Sequence, residues 1–207
     1  LMHTNVSLWK NKKNLFFDKD EKDELSQLGR YFCGGLIEHA KGLTAICNPT
    51  TNSYHRLVPG YEAPAYIAWS GSNRSAIVRV PQHFKGEKYA YLKRLEFRTP
   101  DPSSNPYLVF ASVLAAGLDG IKKKMDPGDQ VHEDIFKMTR SQRKKQNIGV
   151  LPANLGEALD SLESDRKFLL PIFTNNVIDK VIELERRDQR EIAIRPHPHE
   201  FYLYFYV

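Results

Sequence analysis

The run Asn48–Pro64, N-P-T-T-N-S-Y-H-R-L-V-P-G-Y-E-A-P, separates a helical pattern that ends before it from a strand-like pattern that begins after it. It places Arg56 and Glu62 six residues apart in a loop broken by Pro49, Pro59, Gly60 and Pro64. Pro59-Gly60 is a turn signal, and Tyr54, Leu57, Val58 and Tyr61 offer apolar anchors to a body. Taken alone, the run reads equally as an ordinary long surface loop or as one that presents a cation and a carboxylate to a ligand.

Upstream, Leu25, Leu28, Phe32, Leu36, His39, Leu43 and Ile46 recur at three- and four-residue steps, which predicts a helix over Ser26–Cys47. Gly34-Gly35 inside it implies close approach of a neighbouring backbone, or a weak point. His39 lies on the apolar stripe and reads as a satisfied core histidine rather than a ligand. The only two cysteines, Cys33 and Cys47, share this pattern and read as free buried thiols, which suits a reducing, cytoplasmic compartment. Before the helix, Met2–Leu8 alternates: His3, Asn5 and Ser7 face one way, Met2, Thr4, Val6 and Leu8 the other. A turn at Asn11–Asn14 and a short return at Leu15–Phe17 follow.

Downstream, Tyr66–Trp69 and Ala76–Val80 read as strands, with Ile77 and Arg79 sharing a face of the second. Gln82–Ala90 is a polar loop. Leu92–Arg98 then turns Arg94, Glu96 and Arg98 to one side and Leu95 and Phe97 to the other. That face is either a self-neutralised exposed edge or the wall of an anion site. Ser103, Ser104 or Asn105 caps a helix with Pro106 in its first turn, running to about Lys124. Its apolar residues cover most of the circumference, so it is expected to be largely buried. Short helices follow near Arg140–Gln146, Asn154–Leu162 and Thr174–Glu191, and the aromatic end Glu200–Val207 is expected to dock somewhere. His197 and His199, separated by a proline, do not read as a metal pair.

The 207 residues, 41% of them apolar, suffice for one domain with a substantial core. The longest apolar stretch, Leu108–Leu118, is too short to span a bilayer, and no secretory pattern opens the chain, so no membrane is expected. The net charge of +5 reads as spread along the chain apart from Lys122–Lys124 and Arg143–Lys145, taken as solvated helix ends; nucleic acid is not an expected partner. Neither a Walker-type glycine loop nor a G-x-G-x-x-G is present, so ATP use would need another phosphate site. The chain enters a strand at once, as part of a larger protein would.

The polar faces collect into one constellation: His3, Asn5, Ser7, Arg56, Glu62, Arg74, Arg79, Arg94, Glu96 and Arg98. A hard divalent ion takes carboxylate oxygen, with an imidazole beside it; His3 and Glu96 supply such a pair if their strands are neighbours. Arginines grip carboxylate and phosphate bidentately and stay charged. Glu62 among cations can take a proton from an incoming nucleophile. An enzyme handling phosphate and a carboxylate substrate is the reading these residues give.

M-H-x-N-x-S-L at Met2–Leu8, the Asn48–Pro64 run, N-R-S-A at Asn73–Ala76, R-L-E-F-R-x-P-D-P-x-x-N-P-Y-L at Arg94–Leu108, A-G-L-D-G-I-K at Ala116–Lys122 and R-P-H-P-x-E-F at Arg195–Phe201 together resemble type I glutamine synthetase. The resemblance spans residues 1–207 as the C-terminal portion of that family's catalytic domain. It implies an α+β fold, part of the family's catalytic α/β barrel, with mostly antiparallel strands and packed helices. It implies His3 and Glu96 as ligands of Mg2+ or Mn2+ that holds ATP phosphates. Asn5, Ser7, Arg74, Arg79 and Arg94 would lie on the ATP side. Arg56, Arg98, Arg74 and Glu62 would serve glutamate, with Glu62 on a closing flap and Arg74 also beside the transferred phosphoryl group. The implied reaction joins ammonia to glutamate, in a homo-oligomer that is a dodecamer of two hexameric rings when full length. Ligation of a polyamine or another amine, and a non-catalytic partner-binding role, are the alternatives; a non-catalytic relative could lose Glu62, Arg56 or His3, and all three are present.

Four departures stand out. Asn5 occupies a position that is histidine in many relatives. Leu1 replaces a glycine, which suggests truncation. The loop between Arg79 and Glu96 is long, so Lys85, Lys88 and Lys93 compete as the nucleotide lysine. Phe136 occupies the place of a tyrosine that some relatives adenylylate, so that control is expected to be absent. Further metal ligands, and a neighbouring subunit's domain, are expected to precede His3 in the full-length protein, leaving this chain alone inactive.

Overall fold

A computed structural model describes residues 2–21, 23–59, 64–81 and 84–205. Its strands are β1 (Thr4–Val6), β2 (Trp9–Lys10), β3 (Lys13–Asn14), β4 (Tyr66–Ser70), β5 (Ala76–Arg79), β6 (Leu95–Phe97) and β7 (Gly149–Val150). Its helices are α1 (Gln27–Glu38), α2 (Ala40–Cys47), α3 (Pro106–Lys123), α4 (Arg140–Lys145), α5 (Leu155–Ser164), α6 (Asn175–Ala193) and α7 (Pro198–Tyr204). Five strands form one sheet in the order β1-β6-β5-β4-β7, antiparallel except for β4 and β5. The α+β expectation with mostly antiparallel strands is met. The described strands form an open sheet, however, and not a closed barrel.

β2 and β3 form a separate hairpin. Its turn is Asn11–Lys12, both at positive φ, the geometry that suits the twist of a two-residue hairpin. The return strand is therefore Lys13–Asn14, two residues earlier than the apolar run Leu15–Phe17 suggested. Phe16 instead goes into the core, edge-on to Phe32 at 5.3 Å.

The Ser26–Cys47 helix exists as two pieces. Ser26 caps α1, its Oγ accepting from the Gly29 amide, and the chain leaves helical dihedrals at His39 before α2 begins. The break lets α1 pack on α3 while α2 turns against α5. Gly34-Gly35 is a close approach: a Cβ on Gly35 would lie 2.0 Å from the Ala116 carbonyl oxygen, and Gly120 faces it across the crossing. Both cysteines are fully buried and free, and burial pushes both thiols well above their ordinary range.

α3 starts as its sequence indicates, with Asn105 Oδ1 accepting from the Tyr107 and Leu108 amides and Pro106 at the first position. It is not deeply buried all round. Val109, Ser112, Val113 and Ala116 face the core, while Tyr107, Phe110, Leu114 and Leu118 form an exposed stripe. Phe201, Tyr202, Leu203, Tyr204 and Phe205 on and after α7 are also exposed.

Candidate active site

β6 lies between β1 and β5, and the pairing register puts Asn5, Glu96 and Arg79 in one row across the three strands. Side chains on one row of a pleated sheet point to the same face, so the alternation read from sequence converts directly into a surface. His3 Nδ1 sits 2.7 Å from Glu96 Oε1, Arg79 Nη1 3.4 Å from Glu96 Oε2, and Arg98 Nε 3.8 Å from Glu96 Oε1. Glu96 is only 9% exposed, on a central strand. The Arg-Glu-Arg face is thus not an exposed edge.

Around this centre the other candidates divide into two groups. Asn5 Oδ1 accepts from Arg94 Nε at 2.9 Å, and Arg94 also donates to the Leu92 carbonyl, so β1 and the start of β6 present an amide and a guanidinium side by side. Ser7 accepts from the indole N–H of exposed Trp9 at 2.9 Å, at the far end of the same strand. At the other end of β6, Arg98 donates to the Arg74 and Ala76 carbonyls. Burial, aided by the charges of Arg79 and Arg74 and opposed by Glu96, lowers the Arg98 pKa; its guanidinium stays charged. The Arg74 side chain is exposed.

Arg56 reaches the same end of β6 from the opening loop. Its Nη2 donates to Asn48 Oδ1 at 2.9 Å and to the Thr99 carbonyl at 2.5 Å, and Thr99 directly follows Arg98. Asn48 and Thr99 were not singled out from sequence; Asn48 stands eight residues before Arg56, and only the fold shows that they meet. A short 3₁₀ turn, Thr51–His55, with Thr50 and Ser53 bonded reciprocally as a capping box, fixes the loop just before Arg56. Glu62 lies outside the described residues.

Several buried nitrogens here have no partner among the described residues: the donors Arg56 Nε and Nη1 and Arg79 Nε, and the imidazole nitrogen His3 Nε2. Orphaned buried donors are costly, and a cluster of them lined by guanidinium groups is suited to an anionic ligand. Burial, with Arg98 in support, lowers the His3 pKa against the opposing pull of Glu96, which favours the neutral imidazole that a metal requires. A neutral imidazole with an unpartnered buried nitrogen beside a carboxylate fits two donor positions of a hard divalent cation. Two donors are too few to hold it, and among the described residues no group of three His, Cys, Asp or Glu residues is arranged to do so.

The nucleotide-lysine question narrows. Lys93 is buried, donating to the Asp23 carbonyl at 2.9 Å with Glu24 3.7 Å away, so it is a strut between β6 and the segment before α1. Lys85 and Lys88 remain on the surface.

An α+β domain whose sheet gathers His3, Glu96, Arg79, Arg94 and Arg98 around one row presents a cationic surface with the chemistry to hold an anionic ligand. Residues 1–204 match the family described as "Glutamine synthetase, catalytic domain". The chain is 54% identical over 205 residues to the glutamine synthetase of Sulfolobus acidocaldarius, covering 98% of this chain and 43% of that protein, and 47% identical to that of Archaeoglobus fulgidus, covering 99% and 42%. Among solved structures, a complex described as GmaS with ADP superposes with a TM-score of 0.83 at 35% identity, covering 98% of this chain and 45% of that one. Plasmodium falciparum glutamine synthetase superposes with a TM-score of 0.82 at 32% identity, covering 98% and 46%. The chain belongs to the glutamine synthetase family, and it spans less than half the length of these relatives.

Proposed function

We propose that this chain is the C-terminal portion of the catalytic domain of a cytoplasmic, homo-oligomeric enzyme. It would ligate ammonia to L-glutamate with ATP, through γ-glutamyl phosphate, giving glutamine, ADP and phosphate. The observation that carries this is the Glu96 row: one carboxylate flanked by His3, Arg79 and Arg98, with Arg56 held at the strand end. The name of the ADP-bound relative supports a nucleotide on the same fold.

His3 and Glu96 would be two ligands of Mg2+ or Mn2+, which when bound neutralises phosphate charge. Asn5, Ser7, Arg79 and Arg94 face the nucleotide. Arg56 and Arg98 grip the carboxylates of glutamate, and Arg74, with its side chain free, stabilises the transferring phosphoryl group. Phosphorylation of the side-chain carboxylate by ATP turns a poor leaving oxygen into phosphate. Attack by ammonia then expels phosphate, and Glu62 takes the proton that the attacking nitrogen loses. An acyl phosphate must be kept from water, which is the reason for a closing flap around Glu62.

The test is phosphate release by the full-length protein with ammonium, hydroxylamine and polyamines supplied in turn. Turnover with ammonium is expected. Turnover with polyamine alone would make the amine-ligase reading correct, and none with any amine would make the chain a non-catalytic relative. Glu62→Ala is expected to spare glutamate binding and lower turnover. The 207-residue chain by itself is expected to make no glutamine; measurable synthesis by it would refute the division of the site between this chain and preceding residues.

A further inference from the structure

The net charge of +5 comes from 30 lysines and arginines against 25 aspartates and glutamates. Between Ile135 and Gly156 stand five of those cations, Lys137, Arg140, Arg143, Lys144 and Lys145, and no carboxylate; the rest of the chain is neutral, with 25 charges of each sign. This segment, which contains the Arg143–Lys145 cluster visible in the sequence, therefore accounts for the whole charge excess.

Four of the five lie on α4, which is only six residues long. Cations in its last turn suit the helix dipole, but Arg140 opens the helix, where the dipole disfavours it, so helix stability does not account for the cluster. Arg140, Lys144 and Lys145 are exposed and form no ion pair among the described residues. Arg143 turns inward, over the Tyr66 ring at 5.2 Å, and Lys137 reaches only exposed Asp134 at 3.8 Å. Beside α4 is a cleft of about 460 Å³ lined by Arg140, Arg143, Lys144, Asn147 and Val150. Its floor includes β7, which among the described strands is the last of the sheet and pairs with β4 alone.

We propose that α4 and the outer edge of β7 form a docking surface for an acidic, extended segment of a partner protein. The cations supply charge complementarity, and the strand edge supplies backbone donors and acceptors for an added strand. A polypeptide fits better than nucleic acid. The helix is about 9 Å long, too short to track a duplex backbone, and the cleft has no exposed aromatic ring on which bases could stack.

Fluorescence anisotropy of a labelled hexaglutamate peptide against the full chain tests this. Binding is expected, weakening as salt rises from about 50 to about 200 mM. The triple variant R140E/K144E/K145E should bind at least roughly tenfold more weakly, while K41E/K122E/K124E, of equal charge change elsewhere, should stay within about twofold. Absence of binding, or equal loss in both variants, would overturn the proposal. Tighter binding of an oligothymidylate of the same charge would also overturn it, in favour of nucleic acid.

Discussion

His39 lies between two carboxylates, its Nδ1 2.6 Å from Asp165 and its Nε2 3.0 Å from Asp119, with its ring stacked on Phe168 at 4.0 Å. One side chain at the α1–α2 break thereby ties the end of α5 to α3, where Lys123 also holds Asp119 at 2.8 Å. Burial alone would depress the imidazole, but the hydrogen bonds and charges of Asp165 and Asp119 outweigh it and raise the pKa. A group whose pKa is raised on folding contributes stability that is complete below its unfolded value, about 6.5, and is lost as pH rises through the folded value. The unfolding midpoint should therefore fall as pH rises above about 6.5. His39→Gln should cost about 2 kcal/mol at pH 6 and flatten that part of the profile in chemical denaturation. A slope unchanged by the substitution would show that His39 is not its source.

The α1–α3 crossing admits no side chain at Gly35 or Gly120. A Cβ at Gly120 would lie 2.3 Å from the Tyr31 carbonyl oxygen and 2.7 Å from Gly35 Cα, all of it backbone that cannot rotate away. Gly120→Ala should destabilise by about 2–3 kcal/mol despite alanine's better helix propensity. Thermal unfolding of the variant checks this; a stability equal to that of the unmodified chain would mean that the helices separate at little cost.

The contrast between Asn105 and His39 shows what the sequence can reveal. Period-two alternation at His3–Ser7 and Arg94–Arg98 was enough to assign faces, because side-chain direction in a strand is local. That the two strands are neighbours, which creates the His3–Glu96 pair, is a long-range pairing that alternation does not specify. Asn105 and Thr174 were legible as helix starts because capping is a local hydrogen bond. The break at His39 was not, since its partners Asp119 and Asp165 are 80 and 126 residues away. Likewise the Thr99 carbonyl that holds Arg56, and the Asp23–Glu24 seat of Lys93, depend on long-range packing that no local pattern records. The exposed stripe on α3 is illegible for a related reason: apolar residues all round a helix do not say which of its faces the chain itself covers.

Glu185 on α6 is a half-buried acid. Its Oε2 has no partner among the described residues, and burial, reinforced by Asp188, raises its pKa to about 8. The unfolded chain ionises near pH 4.3, so between there and about pH 8 the folded state holds a proton that the unfolded state has released. Stability then falls as pH rises through that window, the sign opposite to that of a paired carboxylate. Glu185→Gln should raise stability at pH 8 by on the order of 2 kcal/mol and make no difference near pH 4. Equal effects at both pH values would assign the change to packing instead.

Arg56 and Glu96 should fail in different ways when altered in the full-length protein. Arg56 is pinned by Asn48 and Thr99 through one nitrogen, leaving Nε and Nη1 buried without a partner among the described residues. Lysine keeps the charge but loses the planar fork, so Arg56→Lys should raise KM for glutamate by roughly tenfold or more with a smaller effect on kcat. Glu96 instead balances His3, Arg79 and Arg98 at once. Glu96→Gln preserves shape and removes the charge, so it should weaken Mn2+ binding by roughly 10- to 100-fold and depress kcat, with KM for glutamate little altered. Steady-state kinetics together with metal titration separates the two. If Glu96→Gln left metal affinity intact while raising KM for glutamate, the carboxylate would belong to the arginine cluster that grips the substrate, and His3 would have to find its metal-binding partner elsewhere.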